Sequence, residues 1–173
     1  MTRLSTERLV LTELDDDDAP FILELLNDPE WIRYIGDRKL RTLDDARTYL
    51  RNGPIAMYAR EGFGLYRTAL AHDDTPIGLC GLIRRPALDD VDIGFAFLPA
   101  YRGCGYALES AAAVLDHAQA LGLPRVVALV SPDNDRSAAL LARLGFARER
   151  SIRLPDDDAT LDLFARDLGR DAR

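Results

Sequence analysis

The order and periodicity of its segments predict a mixed α/β fold for this 173-residue chain. Two observations carry that prediction. Apolar, strand-like runs at 64–71, 76–84 and 91–98 follow one another through short connections, the pattern of antiparallel neighbours. A helical stripe over 105–121 then separates the last of these runs from another buried run at 125–130, which makes 91–130 a right-handed parallel crossover. The whole reads strand, two helices, three strands, helix, strand, helix, two strands. The sheet is therefore mostly antiparallel with one parallel pair.

The elements follow from local chemistry. "ERLVLTEL" (7–14) is rich in β-formers and reads as a strand. "DDDD" (15–18) supplies an N-cap and favourable negative charge to a helix that starts near Ala19, with Pro20 in its first turn. Phe21, Leu25 and Leu26 are expected on the buried face of that helix. "TLDDARTYL" (42–50) is a second helix, capped by Thr42 and expected to stop at Asn52-Gly53-Pro54. "HDDT" joins the strands 64–71 and 76–84 as a hairpin. Apolar residues at 108, 111, 115 and 118 mark the long helix, which Gly122 and Pro124 end. "DRSAALLARLGF" (135–146) is a helix closed by Gly145, and the chain finishes as a hairpin around "PDDD" (155–158).

Composition excludes several classes. A formal net charge of -7, with Lys39 the only lysine, argues against a broad nucleic-acid-binding face, because phosphate contacts need clustered cations. No 18-residue apolar run is present, so no membrane span is expected, and "MTRLSTERLV" has no apolar core of signal-peptide length. Cys80 and Cys104 lie 24 positions apart, and with two histidines they offer no metal-ligand spacing; no metal is expected. Reduced thiols in a cytoplasm are the simplest expectation.

The stretch "PAYRGCGYALES" (99–110) carries the chemistry. It lies at the carboxyl edge of the first strand of the parallel crossover, where ligands collect in open sheets. A helix start leaves several backbone N–H groups unpaired and carries partial positive charge, and an anion satisfies both. Gly103 and Gly105 admit positive φ and close approach, and Arg102 adds a charge within reach of phosphate oxygens. The rival glycine motifs fail. No Lys-Ser or Lys-Thr follows the last glycine, and Leu108 stands where a dinucleotide fingerprint needs its third glycine. Locally, a plain helix N-terminus and a phosphate cradle both remain open.

The surroundings resemble the acetyl-CoA-binding core of the GNAT acetyltransferases. That family's signature of Arg or Gln, two residues, Gly, one residue, then Gly or Ala is matched by Arg102, Gly105 and Ala107 in "DIGFAFLPAYRGCGYALESA". A second segment, "SPDNDRSAALLARLGF", matches through Asn134, Ser137, Leu144, Gly145 and Phe146. The opening "TERLVL" resembles the branch that includes the Rim-type ribosomal-protein N-acetyltransferases. The resemblance covers about residues 5 to 168 and implies one domain over that span.

It implies a central, mostly antiparallel twisted sheet, with one parallel pair splayed apart and helices on both faces. It also implies transfer of an acetyl group from acetyl-CoA to a primary amine, a protein N-terminus or a small molecule, by direct attack in a ternary complex. Pantetheine would pair with the backbone at Phe95, Ala96, Phe97 and Leu98. Pyrophosphate would rest on the N–H groups of Arg102, Gly103, Cys104, Gly105, Tyr106, Ala107 and Leu108. Gly94 fits a bulge or a close backbone approach. Strand alternation puts Asp92, Gly94 and Ala96 on one face and Ile93, Phe95 and Phe97 on the other, and Asp92 is the candidate base for the acceptor amine. A solvated strand end is its bland alternative. Many members place a Tyr four residues before the Gly of the Leu-Gly-Phe end; Leu141 stands there, which leaves Ser137 as the candidate donor to the departing thiolate. That departure keeps a non-catalytic module, binding CoA or a partner, as the alternative. Asn134 fits a cofactor contact and a helix N-cap equally. Cys104 reads as incidental, and His117 as a surface position on its helix. The segment 27–50 is expected to line the acceptor side, with Trp31, Tyr34, Ile35 and Arg38 as wall or packing. The acceptor and the oligomeric state, a homodimer included, stay open.

Overall fold

The computed structural model describes residues 1–169. Eight strands form one sheet in the order β1-β2-β3-β4-β5-β6-β8-β7. β1 (Arg3–Ser5) and β2 (Leu9–Glu13) lead, followed by a helical layer and then β3 (Leu65–Leu70), β4 (Pro76–Ile83) and β5 (Val91–Phe97). Helix α5 (Tyr106–Ala120) crosses to β6 (Arg125–Val130), α6 (Asp135–Arg143) follows, and β7 (Ala147–Arg153) and β8 (Thr160–Asp167) close the chain. Every neighbouring pair is antiparallel except β5 and β6, the parallel pair that the crossover predicts.

The strand alternation divides two apolar layers. On one face Tyr66, Leu82, Ile93 and Phe97 pack with Ala111, Val114, Leu115 and Ala118 of α5 and with Leu141 of α6. On the other face Leu79 and Leu98 meet Phe21, Ile22, Leu25 and Leu26 of α1 (Ala19–Leu26), together with Trp31 of α2 (Pro29–Tyr34) and Ala46 and Leu50 of α3 (Leu43–Leu50). An aspartate cap is present, but on the 3₁₀ turn Asp16–Asp18 that leads into α1: Asp15 accepts from the Asp17 backbone and closes a capping box with Asp18, whereas Asp18, the N-cap of α1 itself, makes no side-chain capping bond.

Three elements differ from expectation. α3 does not stop at Asn52-Gly53-Pro54. It runs on through a π-helical turn, Arg51–Ile55, into α4 (Ala56–Glu61), which ends at Gly62. The wider turn accommodates Pro54, whose ring and missing N–H would break a regular α-helix. Helix α2 and the three-residue strand β1 were not expected as separate elements. The β4–β5 ladder also runs from Gly78↔Phe97 to Ile83↔Asp92 without a register shift, so Gly94 marks no bulge. A Cβ there would lie 3.3 Å from Ile83 Cδ1 and 3.6 Å from Leu65 Cδ2, so what crowds Gly94 is side chains and not a neighbouring backbone.

Candidate active site

The parallel pair is bridged only at Val91↔Val126 and Asp92↔Val127. Beyond those residues the two strands part, while β5 stays paired to β4 and β6 to β8 along their lengths. Alternation along an antiparallel ladder decides which backbone groups face the opening. Leu98 donates to Ile77 O, so Leu98 and Ala96 turn their backbone groups toward β4. Phe95 and Phe97 therefore turn theirs into the opening. Of the four predicted backbone contacts, these two are aimed at a chain lying between the strands.

At the open end of β5 the chain passes through a short 3₁₀ turn, Pro99–Tyr101, into the glycine loop. Gly103 has φ +73° and Gly105 φ +82°, the left-handed region that favours glycine. Gly105 is the N-cap of α5 and offers no side-chain cap. The N–H groups of Gly103, Cys104 and Gly105 donate to no group among the described residues. Tyr106, Ala107 and Leu108 begin the helix, where the i−4 acceptors are missing. A row of backbone donors at a helix N-terminus is thus left open for an anion.

The Arg102 side chain is engaged elsewhere. Its Nη2 donates to Asp28 Oδ2 at 2.5 Å and its Nε lies 3.1 Å from Glu30 Oε2, both at the start of α2. Asp28, itself buried, also caps α2 by accepting from the Glu30 and Trp31 backbones. The loop's basic neighbour is Arg8, which sequence reasoning missed. Its Nη1 donates to Cys104 O at 3.0 Å, and its guanidinium lies 4.4 Å from the centroid of the Tyr106 ring. Cys104 is exposed and reaches only the Arg102 carbonyl; Cys80 is buried, which pushes its thiol up to about 12.

Asp92 sits where β5 and β6 part, and it is only 2 % exposed, so it is not a solvated strand end. Oδ2 accepts from Arg85 Nε at 3.0 Å, whereas Oδ1 has no hydrogen-bond partner among the described residues. Burial raises the carboxyl above its ordinary range, and the charge and hydrogen bond of Arg85 oppose that rise. Arg85 and Arg38 both lie near the Tyr49 phenol, whose pKa burial raises and their charges lower. Arg85 thus stands near both the Asp92 carboxylate and the Tyr49 phenol.

Asn134 caps α6, its Oδ1 accepting from the Ser137 backbone at 3.2 Å. The Ser137 hydroxyl is half-buried and makes no hydrogen bond among the described residues. Leu141, one turn further along the same helix face, is fully buried in the core. His117 is not a free surface residue: its Nε2 lies 3.2 Å from the Tyr66 hydroxyl, and burial lowers its pKa.

Helix α2 spans the open ends of the two parted strands. Beside the Arg102 pair, the Tyr34 carbonyl accepts from Ser131 Oγ at 3.1 Å, and Arg33 pairs with Asp133 at 3.3 Å just beyond β6. Trp31 is buried against α1 with its Nε1 unpartnered among the described residues, whereas Ile35 and Arg38 are exposed. Among the described residues no group of three or more His, Cys, Asp or Glu is placed to hold a metal ion, and no helix is long and apolar enough to cross a membrane.

Comparison with known proteins gives a consistent picture. Residues 8–147 match the family model described as an acetyltransferase (GNAT) domain. The chain is 30% identical over 155 residues to YoaA of Bacillus subtilis, described as an uncharacterised N-acetyltransferase, covering 87% of this chain and 85% of that one. Among solved structures, an acetyltransferase from Agrobacterium tumefaciens superposes with a TM-score of 0.81 at 27% identity, covering 96% of this chain and 94% of that one. RimL, a ribosomal L7/L12 alpha-N-protein acetyltransferase solved in complex with coenzyme A, superposes with a TM-score of 0.84 at 19% identity, covering 98% and 100%.

Proposed function

Because the chain belongs to the GNAT acetyltransferase family, we propose that it transfers an acetyl group from acetyl-CoA to a primary amine, on a protein N-terminus or a small molecule, by direct attack in a ternary complex. The observation that carries this reading is the parting of β5 from β6 after Asp92, beside a loop of unpaired N–H donors. In this reading the backbone groups of Phe95 and Phe97 pair with pantetheine as an added strand would. The N–H groups from Gly103 to Leu108 hold the pyrophosphate, without that of Arg102, which donates to Pro99 O at 3.3 Å. The thioester then lies near the splay point.

Asp92 takes the proton that the acceptor amine loses as its nitrogen bonds to the acetyl carbon. Because Asp92 is buried, the proton reaches Oδ1 through water. The carbon–sulfur bond breaks and the thiolate leaves, accepting a hydrogen bond from the Ser137 hydroxyl, one helical turn before Leu141, the residue that stands where many members have a phenol. Asn134 keeps the first turn of α6 in place for that donor. Asp92 has a second effect. It holds one side of the Arg85 guanidinium.

Calorimetry with CoA and acetyl-CoA tests the donor half, and absence of binding at millimolar ligand rejects it. An amine screen read by thiol release tests the acceptor half. Binding of CoA without turnover on any amine favours a non-catalytic CoA-binding module, the reading to which the buried Leu141 lends weight.

A further inference from the structure

We propose that Arg8, and not Arg102 of the family signature, supplies the cationic side chain at the phosphate-binding loop, and that it does so by neutralising Glu109 and presenting Nη2 to the diphosphate. The inference rests on the donor reading above.

Arg102 has an acidic partner on each of two nitrogens, Asp28 and Glu30, so its charge is compensated before any ligand arrives. Arg8 reaches the loop from the turn between β1 and β2. Its Nε donates to Glu109 Oε2 at 2.7 Å, and its Nη1 donates to Cys104 O. Nη2 makes no hydrogen bond among the described residues and lies 3.3 Å from the point where a Cβ on Gly105 would stand. Three contacts thus fix the guanidinium plane, counting the ring of Tyr106, and leave one nitrogen at the α-carbon of the N-cap residue. The side chain is 44% exposed, so a ligand reaches it from solvent.

Glu109 makes the role necessary. It is an acidic residue in the first turn of α5, the turn whose N–H groups are to receive a diphosphate. Burial alone would favour its neutral form, but hydrogen bonds from the Thr6 hydroxyl (2.6 Å), the Arg8 backbone (2.9 Å) and the Arg8 side chain hold it ionised. An anion on the loop therefore meets a carboxylate a few residues away. Without Arg8 that carboxylate keeps two hydrogen bonds but loses its counter-charge, which leaves an uncompensated negative charge beside the loop. The same three bonds tie the β1–β2 turn to α5.

The test measures CoA dissociation constants at several salt concentrations for the wild type, Arg8→Gln, Arg8→Gln with Glu109→Gln, and Arg8→Lys, with thermal unfolding of each. We expect Arg8→Gln to weaken CoA about tenfold and to make affinity less salt-dependent. Adding Glu109→Gln restores at least a third of the lost affinity, because the uncompensated carboxylate is gone. Arg8→Lys keeps the charge and loses about threefold with the salt dependence retained; this variant decides the matter if Arg8→Gln does not fold. Unchanged affinity in Arg8→Gln overturns the proposal. So does a loss in Arg8→Gln or Arg8→Lys that leaves the salt dependence of Arg8→Gln, or removes that of Arg8→Lys, because that is the mark of a purely structural role. A wild type that binds no CoA rejects the donor reading itself, whereas a wild type that binds beside an unaltered Arg8→Gln rejects only the role of Arg8.

Discussion

Replacing Gly103 and Gly105 by alanine, one at a time, separates two things that a glycine does in this loop. Both residues hold left-handed φ, +73° and +82°, so each alanine pays about 1–2 kcal/mol for adopting it. In a chain of this size that corresponds to a fall in Tm of about 2–8 °C for either variant. The surroundings of the new methyl group differ. At Gly103 nothing lies within 4 Å, so the backbone cost is the whole cost. At Gly105 the Cβ meets Arg8 Nη2 at 3.3 Å, inside ordinary contact distance. Arg8 is exposed enough to yield, so the extra loss of stability stays below about 0.5 kcal/mol. The displacement nonetheless falls on the cation beside the α5 N-terminus. We therefore expect similar melting temperatures for the two variants but a CoA affinity about three- to tenfold weaker for Gly105→Ala than for Gly103→Ala. Differential scanning calorimetry and CoA titration measure both quantities. Wild-type Tm in both variants would refute the backbone argument, and equal CoA affinity would refute the contact argument.

Asp92→Asn should lower turnover by about 10²–10⁴-fold with CoA affinity unchanged. Wild-type activity falls as pH drops through the raised Asp92 pKa, because the base must be ionised, and the variant loses that limb; a wild-type pH profile in the variant rejects the role. The same raised pKa has a stability consequence of defined sign. Protonated Asp92 suits its buried site, so the wild type loses stability relative to the Asp92→Asn variant as pH rises through the folded-state pKa, a trend read from melting curves against pH. Ser137→Ala keeps the α6 cap, since Asn134 accepts from the Ser137 backbone, and should leave stability within about 0.5 kcal/mol while lowering kcat and kcat/KM together by about tenfold. Unaltered kcat would remove Ser137 from the mechanism.

The parts legible in the sequence are those written in short-range pattern. The parallel crossover, the hairpins and the glycine loop each depend on residues within a few positions of one another, and strand alternation alone put Asp92 and Ala96 on one face and Ile93 and Phe97 on the other. Helix α2 also had a local signal, Asp28 as N-cap with Pro29 in the first turn, but the helix is only six residues long. β1 is three residues long, too short for its alternation of exposed and half-buried residues to be read as a strand signal. The Asn52-Gly53-Pro54 stop was a sound local inference overturned by context, because a π-helical turn accommodated the proline. What was hidden in the site were long-range pairings. Arg8 and Glu109 are 101 positions apart, and Arg102 meets an aspartate 74 positions away. Nothing in a one-dimensional pattern says which of several arginines has its charge already spent.

That distinction bears on how donor and acceptor sides are joined. The Asp28 carboxylate does two jobs at once, capping α2 and accepting from Arg102 at the mouth of the glycine loop. Through Arg33 and the Tyr34 carbonyl, the same helix holds the segment after β6 that leads into α6 and Ser137. A six-residue helix is marginal alone and owes its position to these contacts. α2 therefore fastens one parted strand to the other on the face where Asp92, Arg85 and Tyr49 gather. In the proposed reading the donor meets mainly backbone groups of the loop and strands, whereas this strap is held mostly through the side chains of Asp28, Arg102, Arg33 and Asp133. On that reading, acceptor choice is free to diverge through residues 27–50 without rebuilding the proposed donor site, provided that Asp28 and Arg102 keep their pairing.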